Sequence, residues 1–479
     1  MLLSGATIFH DFPAQYGLGP TFLIASICGH DCWQGMYFIS SFTTLIFSIC
    51  IATLALTLTA NRWPERLIVL ALSLATCFFW AGFPPFVGSP IQTPSVTGLR
   101  FFPIIMLVTY LFFASGIEHS KIKKVIAHSF WAFGTLWSVE SAFYVTCVWW
   151  PYYIFIQRTK GNITTRFKGL LKASAQLILI AISLTVIFNI IFYVIYGKRP
   201  SLYAFLAYAL NPPGVCPINP YGGILYFILV TSIGIATLFH LWHKSGDTFI
   251  FRSGFLILLS CYSVFSYCLG RSHDNNFLNI LPFILLVLLH IISAINNKKF
   301  YLYRISLTCL MALLGWLPAF GWTAWHENIS RGRLLSFNSK LFNDYMTLSN
   351  PLTDSAIPFN KNVNMRPSFS KEAWNAINSL KRYREPITIL DSNLCFVSIH
   401  PAVWSAFHGP ANYAFIPSDH RRKFLQATAK SLHRSGWVIV EKKYPAVMFL
   451  EDFDFVYQRT NYLDFGGYYA VRFSPKKNS

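Results

Sequence analysis

Residues 1–322 contain seven carboxylates: Asp11, Asp31, Glu65, Glu118, Glu140, Asp247 and Asp274. In so apolar a stretch each needs a reason, because an ionised carboxylate is costly away from water. Glu65, Glu118 and Asp247 fall beside basic residues, where a solvated pair is sufficient explanation. Asp11, Asp31, Asp274 and Glu140 remain for chemistry. Glu140 interrupts an apolar run, the position at which an ionisable residue is a functional candidate by default. Two cationic segments complement these acids. "YCLGRSHDNN" sets Arg271 and His273 at the end of an apolar run, and "YGKRPS" sets Lys198 and Arg199 at the end of another. Guanidinium and ammonium groups at headgroup depth suit a lipid phosphate. Ordinary snorkelling from helix ends is the competing explanation. It weighs evenly for Lys198 and Arg199, and less for Arg271, which shares a tight turn with His273, Asp274, Asn275 and Asn276. The Pro- and Gly-rich "PPFVGSPIQTPSVTGLR", with Arg100 at its exit, is either a lid or a connector.

The elements that position these residues must be membrane helices. The chain has 479 residues, 54% hydrophobic, 17% aromatic and 12% charged. Apolar runs at 36–60, 66–83, 101–117, 169–196, 222–242, 253–269, 277–296 and 303–322 each approach the ~20 residues of a spanning helix. A further run from Val125 to Ile156 is long for one span and reads as two short helices meeting near "WSVES", making ten. The net charge of +20 would suit nucleic acid, but basic residues interleaved with apolar runs instead mark cytoplasmic loops, and no nucleic acid is expected. In the ten-helix arrangement fifteen Lys and Arg, from Arg62 to Arg304, share one side. The other side receives Arg100, Lys198, Arg199 and Arg271. The rich side is therefore expected to be cytoplasmic. Residues 1–35, 84–100, 197–221 and 270–276 then become outer loops.

Residues 323–479 hold the remaining twelve acids and read as a small α/β domain on the outer side. Helical patterning occurs at "SKEAWNAINSLKRY" and "SDHRRKFLQATAKSLHRSG", with Ser418 and Gly436 suited to the ends of the second. Strand-like runs occur at "PITIL", "WVIV", "AVMFL" and "YYAVRF". The fold class expected is thus mainly α: a polytopic bundle over 1–322 and an extracytoplasmic α/β domain over 323–479. The ten cysteines lie mostly inside apolar runs, where Cys behaves as a small hydrophobe, so no disulfide framework is implied. Cys28, His30 and Cys32 in "CGHDC" have too few ligands to argue a metal, and none is expected. "MLLSGATIF" lacks the charged start of a cleavable signal peptide.

The first outer loop, "GATIFHDFPAQYGLGPTFLIASICG", has an acid just outside the membrane, a Tyr-Gly turn and a short apolar helix. With "WSVES" and "GRSHDNN", it resembles the GT-C glycosyltransferases, polytopic enzymes that use polyprenyl-phosphate sugars, and most of all their bacterial members. The resemblance covers the membrane portion in topology and these segments in sequence. Family members typically carry a helix before this loop, whereas this sequence opens at the loop.

The resemblance implies that the acid of the first outer loop, here Asp11, is the catalytic base. A hydroxyl acceptor loses its proton to Asp11 as it attacks the anomeric carbon, giving inversion by direct displacement. Arg271, His273, Lys198 and Arg199 would hold the leaving lipid phosphate. Glu140 and Asp274 are possible second acids, and Gln15, Tyr16 and Arg100 would belong to loops touching donor or acceptor. Without the resemblance, Asp11 before Pro13 reads as a turn or cap residue. The implied partners are membrane lipid, a polyprenyl-phosphate sugar donor and a glycan or lipid acceptor. The implied setting is the inner (plasma) membrane, and no cofactor is expected. Two rivals stand beside this reading: an O-antigen polymerase or ligase, which "GRSHDNN" would suit, and a lipid-linked sugar transporter or flippase, whose paired broken helices are not evident. The D-x-D of "EDFDF", Asp452 and Asp454, resembles a metal-nucleotide motif, but such motifs belong to full nucleotide-binding domains.

Overall fold

The computed structural model describes residues 5–14, 16–27, 32–59, 63–78, 98–114, 116–157, 163–211, 223–270, 277–294, 371–385, 387–390, 416–432, 435–443 and 447–476. These are mainly helical, with one four-stranded sheet. The chain divides into two compact units: Met1–Met36, Thr185–Gly214 and Thr347–Ser479 in one, Tyr37–Leu184 and Val215–Met346 in the other.

In the helical unit, α2 (Cys32–Leu58), α3 (Trp63–Phe78), α4 (Gly98–Phe113), α5 (Lys121–Trp137) and α6 (Val139–Ile156) precede α7 (Ile163–Tyr196). The later helices of this unit are α9 (Gly223–Ser245), α10 (Phe249–Gly270) and α11 (Leu281–Ala294). Four segments, Phe38–Leu58, Thr164–Tyr196, Gly223–Lys244 and Phe249–Cys268, are long and apolar enough to cross a membrane. The chain is accordingly a membrane protein. The apolar run at 303–322 lies outside the described residues.

Two helices show how composition sorts position. In α11, apolar on all sides, Leu281 to Ile292 are buried without exception, as suits the centre of a bundle. In α7, 34 residues long, Ile178, Leu179, Ile182, Val186, Ile187 and Ile190 are all exposed, as suits a helix facing lipid. The expected break at "WSVES" is present. Ser138 closes α5 and opens α6, its hydroxyl accepting the Ser141 N–H at 3.1 Å.

Gly98 begins α4 against α2, where a Cβ would collide with the backbone of Thr44. Backbone cannot move aside as a side-chain tip can. Gly98→Ala is therefore expected to lower stability by about 1–3 kcal/mol, read as a fall in the thermal midpoint of the purified protein.

Arg252 at the start of α10 donates to Asp247 (2.6 and 2.7 Å) and to Glu118 (2.9 Å), tying the two polar turns on either side of it. Burial works to raise the Glu118 carboxyl, but its own backbone N–H and Arg252 outweigh burial and hold it below its usual range. Glu65 differs from expectation. It is buried rather than solvated, in the first turn of α3, where the helix N-terminus favours a carboxylate.

In the other unit the strands β1 (Ile387–Leu390), β2 (Gly436–Glu441), β3 (Tyr457–Phe465) and β4 (Tyr468–Pro475) lie in the order β1-β2-β4-β3. Only the β1–β2 pairing is parallel. Side chains of β2 alternate between two cores. Trp437 and Ile439 pack with Ala376, Ile377 and Leu380 of α12 (Lys371–Lys381). Val438 and Val440 pack with Phe424 and Leu425 of α13 (Ser418–Leu432) and Leu450 and Phe453 of α14 (Val447–Val456). The second core also takes Ala6, Ile8, Phe9 and Phe12 of the N-terminal loop, and Ala204, Ala207 and Tyr208 of α8 (Leu202–Leu210). The short apolar α1 (Leu18–Ile27) follows the loop.

Strands occur where "PITIL", "WVIV" and "YYAVRF" predict them, but "AVMFL" does not form one. Val447 opens α14 instead, because the buried positions Leu450, Phe453 and Val456 recur at helical spacing. The polar β3 was not anticipated.

Candidate functional site

The loop from Thr7 to Asp11 closes on itself. Asp11 N–H donates to the Thr7 carbonyl (2.8 Å), and Thr7 N–H donates to Asp11 Oδ2 (2.7 Å). The closure forces Phe9 into left-handed backbone at φ 59°, strained for an aromatic residue by about 1–3 kcal/mol. Three contacts hold it there. Phe9 N–H donates to Phe12 O (2.8 Å), Phe9 O accepts from Ser201 N–H (2.6 Å), and the Phe9 ring meets Phe205 edge-on at 5.3 Å. Strain of this kind concentrates where geometry serves function.

The closure also presents Asp11 to residues distant in sequence. Lys198, just past the C-terminal end of α7, places Nζ 3.1 Å from Asp11 Oδ2 and 3.4 Å from Oδ1. The carboxylate is 1% exposed and the lysine side chain 32%. Thr428 of α13 donates its hydroxyl to the Asp11 carbonyl at 2.9 Å. His10 Nδ1 lies 2.9 Å from the Arg199 carbonyl, which only accepts, so Nδ1 carries the hydrogen. Its Nε2 then faces Asp11 Oδ1 at 3.9 Å. Of the two carboxylate oxygens, Oδ1 is held less closely.

His10, Asp11 and Lys198 line a cleft of about 570 Å³ with Gly5, Lys423, Gln426, Ala427 and Lys430. The four α13 residues recur at i, i+3, i+4 and i+7 and so share one helix face. Among the described residues, Lys198, Lys423 and Lys430 around one carboxylate leave two positive charges in excess. The volume suits a ligand of small-molecule size, and the charge suits an anion.

Among the predicted site residues, then, Asp11 and Lys198 come together. Arg199 contributes its carbonyl to His10 while its side chain is exposed, and Tyr16 is exposed in the turn before Gly17. Arg100 and Glu140 meet elsewhere, as an ion pair in the helical unit. The Arg100 side chain is 7% exposed and its guanidinium lies 4.4 Å over the Tyr267 ring. Gln15, Arg271, His273 and Asp274 lie outside the described residues. Lys423, Gln426 and Lys430 were not singled out from sequence; their spacing on one face was the available signal.

The Arg100–Glu140 pair accounts for both residues structurally. Glu140→Gln leaves a buried guanidinium undercompensated, an expected loss of about 1–3 kcal/mol. A thermal melt of the purified variant measures the loss.

The D-x-D acids are also engaged. Asp452, buried, accepts from Arg421 Nε (2.5 Å) and Arg422 Nε (3.0 Å), and Asp454 from Arg459 (2.7 and 2.5 Å). Two residues apart on a helix, the two acids point about 200° apart around its axis and do not converge on one ion.

Compared with protein-family models, with curated proteins and with solved structures, the chain matches none.

Proposed function

We propose that the chain is a membrane glycosyltransferase that moves a sugar from a polyprenyl-phosphate donor to a cell-envelope acceptor. The full reading has ten spans in the inner membrane, with the cleft and the C-terminal α/β domain on the outer face. The observation that carries it is the meeting of Asp11 and Lys198, 187 residues apart, in a cleft with excess positive charge. The acid of the first loop is thereby set beside a cation able to hold a phosphate.

In the reaction the acceptor oxygen attacks the anomeric carbon as its proton passes to Asp11. The bond between the anomeric carbon and the phosphate oxygen breaks, and its electron pair stays on the lipid phosphate. Lys198, next to Asp11, stabilises the charge that develops there. One carboxylate at the reacting centre fits a single displacement with inversion, rather than the paired carboxylates of glycoside hydrolysis. Arg271 and His273 are assigned to the same phosphate on the sequence pattern alone.

The test is to incubate the purified full-length protein in lipid nanodiscs with a panel of polyprenyl-phosphate sugars and cell-envelope lipid and glycan acceptors. Release of free polyprenyl phosphate together with a glycosylated acceptor supports the proposal. Donors left intact across the panel would reject it.

A further inference from the structure

Lys423 and Lys430 are separated by two turns of α13, about 10 Å along the axis, and both line the Asp11 cleft. Neither is needed by the core. Both are exposed, whereas Phe424, Leu425 and Ala429 of the same helix are buried. Nor do they neutralise Asp11, whose carboxylate is already engaged by Lys198 and the Thr7 N–H. Two ammonium groups therefore face the cleft without any role in supporting the catalytic loop. Between them, one turn from Lys423, stands Gln426, whose amide both donates and accepts.

We propose that Lys423 and Lys430 form a phosphate clamp that favours the dianionic phosphomonoester released by transfer over the monoanionic phosphodiester that enters. The inference rests on reading the Asp11 cleft as the site of transfer. The argument is one of charge. A sugar joined to a lipid through phosphate carries one negative charge on that phosphate. When the bond to the anomeric carbon breaks, the phosphate becomes a monoester with close to two charges at neutral pH. Asp11 and Lys198 cancel each other until Asp11 takes the acceptor proton, after which Lys198 also faces the phosphate. The two α13 lysines supply the two charges that match the product, and so match the transition state better than the ground state. Helix α13 is then a working part of the active site, and the lipid product is an inhibitor whose hold weakens with added salt.

The experiment measures binding of polyprenyl monophosphate, of a polyprenyl-phosphate hexose and of inorganic phosphate to the full-length protein in uncharged nanodiscs at pH 8. Wild type is compared with the double variant Lys423→Gln/Lys430→Gln and with Lys423→Arg/Lys430→Arg. Both positions are exposed, so the variants should fold, which a thermal melt confirms.

The Gln variant is expected to lose roughly 10- to 100-fold in affinity for the monophosphate. It should lose clearly less for the hexose donor, and the Arg variant should retain both. Inorganic phosphate should compete weakly. Equal affinity of wild type and Gln variant for the monophosphate, or equal losses for both lipids, would overturn the clamp. Inorganic phosphate binding as tightly as the lipid would overturn the assignment to a lipid donor. Failure of the transferase reading looks different: monophosphate binding that depends on the lysines, in a protein that transfers no sugar, upholds the clamp and defeats that reading alone.

Discussion

Asp11→Asn is expected to lower sugar transfer by roughly 10²- to 10⁴-fold while leaving the protein folded and able to bind donor. Asparagine keeps the shape of the side chain and one oxygen, so the Thr7 N–H at 2.7 Å retains its acceptor and the Thr7–Asp11 loop stays closed. What disappears is the capacity to take a proton and the charge opposite Lys198. The loss should therefore fall on kcat, with KM for the donor little changed. Binding of phosphate alone should tighten, because Lys198 is released from its partner. Steady-state transfer assays with both substrates varied make the comparison. Undiminished transfer by the Asn variant would remove Asp11 from the chemistry and leave it as the residue that closes a turn.

Asp452→Ala should produce the largest loss of stability, about 3–5 kcal/mol, because it removes the carboxylate paired with the buried Arg421 guanidinium. The Arg421 side chain is 7% exposed and that of Asp452 1%; Arg421 also donates to the Ile416 carbonyl at 2.8 Å. The pair also joins α13 to α14, so its loss loosens the helix that carries Lys423, Gln426 and Lys430. Chemical denaturation of the purified protein measures the effect. Replacing both partners by apolar residues of similar volume, Arg421→Met with Asp452→Leu, should recover much of the loss, since it removes the buried charge altogether. If Asp452 instead served a metal-nucleotide motif, the Ala variant would lose activity and keep its stability.

How far these features were legible from sequence depends on the interaction that fixes each one. The α5–α6 pair was legible because a polar "WSVES" cannot sit quietly inside an apolar run, and Ser138 caps both helices there. Strand β2 was legible because "WVIV" is β-branched and buried throughout. Strand β3, "YQRTNYLDF", was not: it is an edge strand with most residues exposed, so no apolar alternation marks it. "AVMFL" misled because five apolar residues fit either period, and only the continuation through Phe453 and Val456 decides for a helix.

At the site, Asp11 stood out as a lone acid in a long apolar stretch, and Lys198 as a cation against the charge bias. Their contact was not visible, since it spans 187 residues. The α13 lysines were passed over because Lys at helical spacing, alternating with a buried face, is also the pattern of any solvated amphipathic helix.

The hydrogen bond from Thr428 to the Asp11 carbonyl has a consequence for biosynthesis. Its partners are 417 residues apart, so at ribosomal rates the aspartate waits about 20–80 s for the threonine to be made. Throughout that interval Phe9 has no finished core to hold its unfavourable backbone, and the Thr7–Asp11 turn lacks its partner. A nascent chain thus carries its Thr7–Asp11 loop open until α13 has been made, and the loop closes only when that helix packs onto it.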